Sequence, residues 1–422
     1  MARILLINPN RYTEPPVPPL GLEYLAAALE GASHYCRLLD LTFAADTDAD
    51  VRAAVDDCGP DLAGITVRNI DSAICHNNLF FLDEIAAVVE LLDSLGVPVV
   101  AGGAGFSFAP EEIIQYLGAR WGVDGPAEGV LPGLLDSLDN GDPPGAGSVL
   151  DGWSDPGWLA GDSSPARSSE GVDYERYLGE GAVGGFRTQT GCRGACPFCA
   201  EAGRKVVFRQ PRAVVRELEA MAEGGVRKFH LCDSEFNQDL DYCHSLLAEM
   251  ERARLGFDWA LYMRTAPFDR ELFRGLADTG ASLVTLTYPS GAPDEPARAA
   301  RAISLAKEYG VRVAVDYLCG FPGQTPDEVG RELDTLRRAE PDTVGVSNCI
   351  RLYSGTGVAR KVMSDPRWRT GLLGEVDGNP GLLKPVFYCG IPLEELKGLV
   401  GSDPLFKIEG FERSSNYQRF SS

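Results

Sequence analysis

Gly191-Cys192-Arg193-Gly194-Ala195-Cys196-Pro197-Phe198-Cys199 decides how the rest of this chain is interpreted. The three cysteines have C-x3-C-x2-C spacing and follow a strand-like run at residues 185–190, so one turn can direct three sulfurs at one centre. A structural zinc site needs four ligands, whereas three thiolates can hold a [4Fe–4S] cluster and leave its fourth iron open to bind and reduce a ligand. We therefore predict that Cys192, Cys196 and Cys199 hold a metal cluster that takes part in catalysis.

Spacing alone leaves two other interpretations of these thiols open. A zinc ion could bind the three thiolates and borrow a fourth ligand, such as Cys232 or His230, from elsewhere in the chain. The three cysteines could also be buried thiols that share no function. The choice depends on what the other segments of the chain indicate.

Composition excludes several classes of protein. A length of 422 residues predicts two or three domains, and 44% hydrophobic residues are typical of a globular chain. No apolar run reaches membrane-spanning length, and the first residues lack a signal-peptide cleavage pattern. With 11 scattered cysteines, we expect free thiols and a cytoplasmic location. The net charge of −22 argues against a nucleic-acid partner, because phosphate binding needs a positive surface.

Residues 1–142 alternate strand and helix patterns, which predicts an α/β domain with a doubly wound, Rossmann-like or flavodoxin-like, parallel sheet. Strands are predicted at Arg3–Asn8, Cys36–Leu41, Leu62–Val67, Pro98–Gly102 and Gly122–Asp124, and helices at Gly21–Glu30, Ala49–Asp57, Phe81–Leu95, Glu111–Leu117 and Leu131–Leu138. Ligands of such sheets bind beyond the carboxyl ends of the strands. The residues that follow these strands are therefore candidates for binding.

Two groups of residues stand out at these strand ends. Gly102, Gly103 and Gly105 lack Cβ atoms, so a flat ligand could approach the backbone closely. Arg68 and Asn69 end a very apolar strand and are expected to face the crevice, because a polar pair left unsatisfied there is costly. A salt bridge from Arg68 to Asp71 or Asp40 is the alternative.

Residues 143–182 are rich in Pro, Gly, Ser and Asp, which predicts a surface linker with little core of its own, pinned by Trp153 and Trp158. From 183 to 369 the strand–helix rhythm resumes in six units and predicts a partial (β/α)6 barrel, whose chemistry collects at the carboxyl ends of the strands. Residues 370–422 are expected to form a cap. Tyr388 and Cys389 in this tail are candidates for substrate contact, although core packing is the alternative.

The cluster loop, with Phe198 before its last cysteine, resembles that of radical S-adenosylmethionine enzymes. The resemblance extends over the predicted barrel. Asp233-Ser234-Glu235-Phe236-Asn237 is similar to the segment that contacts the methionine amino group, and Gly320-Phe321-Pro322-Gly323-Gln324-Thr325 to the loop beside the adenine. In that family the open iron chelates S-adenosylmethionine, and one electron splits the cofactor to a 5′-deoxyadenosyl radical. The resemblance therefore implies a [4Fe–4S] cluster, S-adenosylmethionine and a flavodoxin- or ferredoxin-type electron donor.

The resemblance assigns contacts with S-adenosylmethionine to individual residues. These are Ser234, Glu235, Arg264, Ser290, Gly320 and Pro322. A carboxylate at a helix N-terminus is the other interpretation of Glu235, and plain turn geometry is a compatible interpretation of Gly320. Relatives usually show Glu-Ser-Gly after the fourth strand, where this chain has Pro289-Ser290-Gly291. A carboxylate is missing there, so Ser290 or Arg264 is expected to replace its function.

The N-terminal domain resembles the cobalamin-binding domain that precedes many of these enzymes. The similar stretches begin at Pro18, Val67, Ala101 and Asp124, and the last of them ends at Glu128. The resemblance implies that Arg68, Asn69, Gly102, Gly103, Gly105 and Glu128 contact cobalamin. The Asp-x-His-x-x-Gly motif that supplies an axial histidine is absent, and the equivalent stretch is Asp40-Leu41-Thr42-Phe43-Ala44. Arg68 is therefore expected under the cobalt; His76 is an alternative ligand or a polar helix-start residue.

The sequence thus predicts a cobalamin-dependent radical enzyme that methylates an unactivated carbon of a small molecule. Radical dehydration, rearrangement or epimerisation of a sugar or diol is the first alternative, because the missing axial histidine leaves loss of cobalamin open. A cobalamin sensor with a redox cluster is the second alternative, although a sensor does not need the barrel loops. The sequence gives no identity for the substrate.

Overall fold

A computed structural model describes residues 1–155, 167–292 and 294–411 of the chain. The described residues form two compact units. The first comprises Met1–Ser72 and Leu79–Ala182, and the second comprises Ala73–Asn78 and the chain from Val183 onward. No described helix is long and apolar enough to cross a membrane. The division into domain, linker, barrel and cap stays a prediction, and Trp158 lies outside the described residues.

The first unit is built on a parallel sheet of six strands in the order β2-β1-β3-β4-β5-β6. Its strands are β1 Arg3–Asn8, β2 Tyr35–Asp40, β3 Leu62–Thr66, β4 Val99–Gly102, β5 Trp121–Asp124 and β6 Ser148–Asp151, and its helices are α1 Leu20–Gly31, α2 Thr47–Cys58, α3 Leu82–Ser94, α4 Pro110–Leu117, α5 Leu131–Asp139 and α6 Tyr174–Gly179. The central strands are apolar throughout because helices cover both faces. The predicted α/β fold class is confirmed.

The strand order reverses between β1 and β3, which lie side by side in register from Ile4 opposite Leu62. The chain leaves β1 toward β2 on one side and reaches β3 on the other. In doubly wound sheets such a reversal opens a crevice at the carboxyl ends of the two strands, and ligands bind there. The loops after Asn8 and Thr66 therefore meet at the expected binding edge of this unit.

The predicted linker contributes more to the first unit than its composition indicated. Residues 148–151 form β6, which pairs with β5 in parallel register, and residues 174–179 form α6, whose Tyr177 is fully buried. Trp153 packs on Gly125, where an added Cβ would lie 2.5 Å from the indole nitrogen. The expectation of little core in this segment is therefore wrong. Short half-polar strands such as β6 give a weak sequence pattern.

A buried carboxylate fixes the end of this segment to α1. Glu23 is completely buried, and the Tyr174 hydroxyl donates hydrogen bonds to both of its carboxylate oxygens at 2.9 and 3.0 Å. The guanidinium of Arg167, itself nearly buried, lies 3.7 Å from the same carboxylate. A buried charge needs such partners to offset its desolvation. Glu23 therefore orders residues 167–174, which explains why a glutamate occupies an otherwise apolar helix face.

The second unit is built on a parallel sheet of seven strands in the order β18-β14-β13-β12-β11-β10-β7. Its strands are β7 Gly184–Phe186, β8 Gln189–Thr190, β9 Val207–Phe208, β10 Lys228–Leu231, β11 Asp258–Arg264, β12 Ala281–Pro289, β13 Arg312–Leu318, β14 Thr343–Ser347, β15 Ile350–Arg351, β16 Leu372–Leu373, β17 Phe387–Tyr388 and β18 Phe406–Ile408; its helices are α7 Pro211–Glu223, α8 Leu240–Ala253, α9 Arg270–Asp278, α10 Glu295–Glu308, α11 Pro326–Ala339, α12 Gly357–Ser364 and α13 Leu393–Val400. The six predicted strands are present. The tail adds a seventh, β18, which the sequence did not predict.

The two faces of this sheet differ in polarity. One face carries large buried side chains such as Trp259, Leu286 and Val315, as expected beneath helices. On the other face, parallel register sets Arg264 of β11 beside Thr287 of β12, and Thr287 beside Asp316 of β13. These three residues lie at the carboxyl ends of their strands. The register therefore creates a polar row at the edge where a barrel-type enzyme binds its substrate.

Candidate functional site

The cysteine loop of the second unit is held in shape by its own backbone. The amide of Gly203 donates to the carbonyl of Gly194 at 2.8 Å, and the amide of Cys199 donates to the carbonyl of Cys196 at 3.2 Å. The amide of Gly194 donates to the sulfur of Cys192 at 3.3 Å. Hydrogen bonds of this kind stabilise a thiolate. The loop is thus folded around the sulfurs rather than around an apolar core.

The three thiols lie close enough to act on one another electrostatically. The pKa of Cys199 is raised to about 11, first by burial and then by the neighbouring Cys196 and Cys192 among other groups. Burial also raises the pKa of Cys196, while the guanidinium of Arg264 opposes this shift. A group of buried and half-buried thiols beside a cation is suited to binding a metal cluster as thiolates, because cluster iron and Arg264 both offset the negative charge.

The arrangement fits a cluster better than a single ion. In the described part of the chain, no group of three or more His, Cys, Asp or Glu side chains could hold one metal ion. A four-iron cube takes each thiolate on a different iron, so it needs sulfurs gathered around a volume. The sulfurs of Cys192 and Cys196 lie 3.1 and 3.8 Å from the Cβ position of Gly194, so both face the inside of the loop. The zinc interpretation with Cys232 or His230 receives no support from the described residues.

We expect Gly191→Ala to disrupt the cluster loop. Gly191 has φ of +83°, and an added Cβ would clash with the carbonyl oxygen of Lys205. Gly203→Ala is the matched control, because Gly203 has φ of +79° but open space around it. The control should cost about 1 kcal/mol of the free energy of unfolding, and Gly191→Ala clearly more, together with loss of iron. Thermal unfolding and iron content measure both effects; equal losses in the two variants would contradict the steric account.

Two buried polar side chains position the loops around the cluster. Asp233 accepts hydrogen bonds from the backbone amides of Thr188 at 2.8 Å and Gln189 at 3.2 Å, although burial raises its pKa to about 6. Asn237 donates to the carbonyl of Arg264 at 2.9 Å and accepts from the amide of Arg264 at the same distance. Asp233 thus fixes the strand that leads into the cysteines, and Asn237 fixes the end of β11.

Glu235 is the most unusual carboxylate of the site. It is 8% exposed, and burial raises its pKa to about 7, against a hydrogen bond from Thr287 and the charge of Arg264. One of its carboxylate oxygens is buried without a hydrogen-bond partner among the described residues. A buried oxygen in this state is costly unless a ligand satisfies it. The structure thus supports a ligand-binding role for Glu235 more than a helix-end role; Phe236 to Gln238 form only a short 3-10 turn.

Arg264 and Ser234 flank Glu235 and are both exposed. A Cβ added to Gly194 would lie 3.1 Å from the sulfur of Cys192 and 3.9 Å from the guanidinium of Arg264. The cation therefore lies against the cluster loop as well as beside Glu235. One edge of the sheet consequently presents three thiols, a buried carboxylate and a guanidinium.

Ser290 is held by protein partners. Its hydroxyl donates to the carboxylate of Glu332 and accepts from the side-chain amide of Gln324, and the amide of Gly291 donates to Glu332 at 3.1 Å. The carboxylate that the sequence lacks after the fourth strand is thus supplied at that place by α11. That Ser290 or Arg264 replaces its function toward the cofactor stays a prediction. A cofactor contact for Ser290 stays a prediction.

The loop that starts at Gly320 is built by close backbone packing. Gly320 has φ of +81°, and an added Cβ would lie 2.6 Å from the carbonyl oxygen of Asn348. The side-chain oxygen of Gln324 accepts from the Gly320 amide at 2.7 Å, and Lys361 donates to the carbonyl of Pro322 at 2.9 Å. Turn geometry therefore requires Gly320. Contacts of Gly320 and Pro322 with a cofactor stay predictions.

The first unit has a pocket of about 210 Å³ at the strand reversal between β1 and β3. Its lining includes Asn10 and Tyr12 after β1 and Arg68 and Asn69 after β3. The side-chain nitrogen of Asn10 is buried there without a partner among the described residues. The side chain of Asp40 accepts from Asn8 and Tyr177, and the choice between a ligand and a salt bridge for Arg68 stays a prediction. The pocket can receive only part of a corrinoid, because drug-sized ligands already need roughly 300–1,000 Å³.

The glycines after β4 have a structural reason that the sequence did not reveal. A Cβ on Gly103 would lie 2.7 Å from the hydroxyl of Thr66, and one on Gly105 would lie 2.9 Å from the Cα of Asn69. Protein atoms therefore occupy the space beside Gly103 and Gly105 in which we expected a ligand. Close approach of a ligand is thus the wrong reason for a glycine at these two positions. A Cβ on Gly102 would meet nothing closer than 3.8 Å. The role of the three glycines and of buried Glu128 in cofactor binding stays a prediction.

The loop that replaces the axial-histidine motif is tied to its own unit. Asp40 accepts hydrogen bonds from the side chain of Asn8 at 2.8 Å and from the Tyr177 hydroxyl at 2.8 Å. The ring of Phe43 packs edge-on against Tyr177, with centroids 4.8 Å apart. His76 instead belongs to the second unit, where its ring lies 4.7 Å from that of Phe411. His76 lies before α3 and outside any helix. Its interpretation as a polar residue at the start of a helix is therefore wrong.

Sequence reasoning missed several residues of both sites. Asn10 and Tyr12 could have been predicted from the sequence, because residues that follow β1 are candidates for binding on the same grounds as residues that follow β3. Thr287 can be recognised only from the structure, in which strand register places it beside Arg264. Glu332 is brought to Ser290 from a helix 42 residues later in the chain, and no local pattern signals this contact.

Two family models match the chain. The B12 binding domain matches residues 11–135, and the Radical SAM superfamily matches residues 186–336. Tryptophan 2-C-methyltransferase of Streptomyces laurentii is 28% identical over 93% of this chain and 80% of its own length. Cytidylyl-2-hydroxyethylphosphonate methyltransferase of Streptomyces wedmorensis is 24% identical over 80% of this chain and 77% of its own.

Solved structures give the same result. The radical S-adenosylmethionine methyltransferase TsrM of Kitasatospora setae, bound to tryptophan and an S-adenosylmethionine analogue, superposes with a TM-score of 0.85 at 25% identity. The alignment covers 98% of this chain and 92% of TsrM. This structural match agrees with the two family models and with the arrangement of thiols, carboxylate and guanidinium at one sheet edge. The chain therefore belongs to the radical S-adenosylmethionine enzymes that carry an N-terminal B12-binding domain.

Proposed function

We propose that this protein is a cobalamin-dependent radical S-adenosylmethionine enzyme that adds a methyl group to an unactivated carbon of a small molecule. The observation that carries the proposal is the edge of the second unit, where Cys196 lies in the field of both Arg264 and Glu235. A thiol-held cluster beside one cation and one buried anion matches a zwitterionic cofactor. When bound, the cluster, S-adenosylmethionine and cobalamin supply radical and methyl-transfer chemistry.

In the second unit, charge decides how the residues would orient the cofactor. The unsatisfied oxygen of Glu235 would accept a hydrogen bond from the methionine amino group, and the Arg264 guanidinium would bind the methionine carboxylate. Ser234 lies exposed beside them. The loop that carries Gly320 and Pro322 is rigid, because Gln324 and Lys361 bond its backbone. A rigid backbone loop is suited to holding the adenine by shape.

In the first unit, the strand-reversal pocket would receive the corrinoid. Arg68 would lie against the corrinoid there as a cationic side chain, since the loop at residues 40–44 offers no histidine. Asn69 and the unsatisfied nitrogen of Asn10 would donate hydrogen bonds to it. Gly102, Gly103, Gly105 and Glu128 would contribute to holding the same cofactor.

Methylation is preferred over dehydration because the relatives that match both units are named as methyltransferases. The match to the first of them extends over nearly the whole chain. It therefore extends beyond residues 11–135 and 186–336, which the two family models match. Shared family domains alone would support radical chemistry in general; the match outside them supports the methyl-transfer branch.

The proposal extends to partners and location. A flavodoxin- or ferredoxin-type protein supplies the electron, and the net charge of −22 disfavours a nucleic-acid partner. All 11 cysteines are free thiols, which suits a reducing cytoplasm.

Anaerobic reconstitution with iron, sulfide, cobalamin, S-adenosylmethionine and reductant tests the function, with L-tryptophan and a panel of amino acids and sugars as substrates. We expect bound corrinoid, S-adenosylhomocysteine and a product heavier by one CH2. Arg68→Ala should lose the methylated product and keep the cluster absorbance. Formation of 5′-deoxyadenosine without S-adenosylhomocysteine, with a product that has lost water or kept its mass, would overturn methylation in favour of dehydration or rearrangement.

A further inference from the structure

A second group of cysteines lies in the second unit, outside the cluster loop. Cys75, Cys349 and Cys389 come from three separate segments and are all free thiols. Side-chain interactions with Cys389 and Cys75, together with burial, raise the pKa of Cys349. Thiols that separate segments bring together can form a disulfide with one another.

Strand register selects one pair from the three. In the antiparallel pairing of β15 with β17, Ile350 faces Tyr388 and Arg351 faces Phe387. Continuing this register by one residue places Cys349 opposite Cys389. The amide of Leu352 donates to the carbonyl of Val386 at 2.9 Å, which identifies that pair as a hydrogen-bonded one.

The type of pair determines how near the two Cα atoms are. Hydrogen-bonded and non-hydrogen-bonded pairs alternate along an antiparallel ladder. Cys349 lies three residues before Leu352, so its pair with Cys389 is of the non-hydrogen-bonded type. In such pairs the Cα atoms are about 4.5 Å apart and the side chains are nearest. Disulfides span Cα distances of roughly 4.4–6.8 Å. A register that continues to Cys349 and Cys389 therefore gives their backbones the spacing of a disulfide.

The surroundings make Cys389 the reactive thiol of the pair. The side-chain amide of Asn348 donates to the sulfur of Cys389 at 3.3 Å, and its oxygen accepts from the sulfur of Cys349 at 3.7 Å. Hydrogen bonding from Cys349 holds the pKa of Cys389 below its usual value. Cys389 is half-buried and can be reached by a small molecule, whereas Cys349 is only 8% exposed. An accessible thiolate next to a buried thiol is the arrangement of an attacking and a resolving cysteine.

We propose that Cys349 and Cys389 are a redox-active dithiol, which closes to an intramolecular disulfide by exchange with a low-molecular-weight disulfide. The Cys389 thiolate attacks one sulfur of the oxidant, whose S–S bond breaks and releases the first small thiol. The Cys349 thiolate then attacks the mixed disulfide at Cys389 and releases the second small thiol. The protein loses two hydrogens and is oxidised, and the small disulfide is reduced to two thiols.

The bond would fasten a loop of the proposed cofactor site. The amide of Gly390, next to Cys389, donates to the carbonyl of Gly320 at 3.1 Å, and the amide of Cys389 donates to the carbonyl of Gly371 at 2.8 Å. A disulfide to Cys349 therefore ties residues 387–390 to β15 at the place where they support Gly320. The proposal does not depend on the nature of the reaction that the enzyme catalyses.

Peptide mapping of the full-length, reconstituted protein tests the proposal. The protein is incubated anaerobically with oxidised or reduced glutathione, alkylated, digested with trypsin and analysed by mass spectrometry. Trypsin separates the relevant thiols, because Cys349 lies on Ala339–Arg351, Cys389 on Thr370–Lys397, Cys75 on Asn69–Arg120 and Cys319 on Val313–Arg331. Cys319 is the internal control, since it is fully buried near Cys389 but is not opposite it.

With oxidised glutathione we expect the Cys349 and Cys389 peptides to be linked in most chains, while Cys319 is alkylated as a free thiol. Cys349→Ser should convert the link into a stable glutathione adduct on Cys389, and Cys319→Ser should leave the link intact. The proposal is overturned if the wild-type protein keeps both thiols free, if it accumulates the adduct at Cys389, or if Cys349 is linked to Cys75 instead.

Discussion

Cys196→Ala is expected to reduce the iron content of the anaerobically reconstituted protein from about four atoms per chain to well below one. A cube that loses one of three protein thiolates has two open irons and dissociates. Backbone hydrogen bonds of Gly194 and Cys199 hold the loop around the sulfurs, but no other thiol in the loop can replace the missing one. Iron and sulfide assays, with the broad visible absorbance of the cluster, measure the loss. Turnover of S-adenosylmethionine should fall to background in the same preparation.

Cys243→Ala is the matched control for this prediction. Cys243 is another thiol of the second unit, fully buried, but it lies on α8 and bonds to the carbonyl of Phe236. The control should keep its iron and its absorbance. If Cys196→Ala retained four irons, or if the wild-type protein held a zinc ion at these cysteines, the cluster assignment would be wrong.

Glu235→Gln is expected to weaken binding of S-adenosylmethionine by about 10- to 100-fold and to leave the cluster intact. The amide keeps the shape of the side chain but removes the charge that is proposed to accept from the methionine ammonium. Hydrogen bonds between charged groups contribute about 1.5–3 kcal/mol, and each 1.4 kcal/mol is roughly tenfold in affinity. Equilibrium dialysis of the reconstituted protein, with iron content measured in parallel, gives the change in Kd.

Glu217→Gln is the control that tests whether the effect of Glu235→Gln depends on the position of the carboxylate or only on its burial. Glu217 is also a buried carboxylate of the second unit, and it pairs with the guanidinium of Arg209 at 2.7 Å. Its substitution should lower the midpoint of thermal unfolding because it leaves Arg209 without its buried counter-charge, while the Kd for S-adenosylmethionine stays unchanged. A Kd for Glu235→Gln within twofold of the wild-type value would remove Glu235 from the binding site.

Local sequence patterns predicted most of the fold, because buried parallel strands are short apolar runs. Arg3–Asn8 and Arg312–Leu318 were predicted with the bounds that the structure shows. β6 and β18 were not predicted. β6 is half-exposed along most of its length and β18 has only three residues, and both lie at sheet edges. An edge strand is decided by the neighbour that it pairs with, which no local pattern contains.

Local spacing also predicted the centre of the candidate site. The three cysteines lie within eight residues, and Glu235 lies in a short motif. Thr287 and Glu332 were missed, because their contacts with Glu235 and Ser290 join segments 52 and 42 residues apart. Gly103 and Gly105 were predicted for a reason that proved wrong, since glycine allows close approach of protein and ligand alike.

By itself, the sequence determined which chemistry the chain can carry: ligand spacing within a single loop is a covalent property of the chain and is independent of the rest of the fold. Only the tertiary structure decided which charges surround that loop, which carboxylate oxygen lacks a partner and which cysteine faces which. Such relations arise when strand register and helix packing bring distant residues within a few ångströms, where electrostatic and hydrogen-bond energies become large.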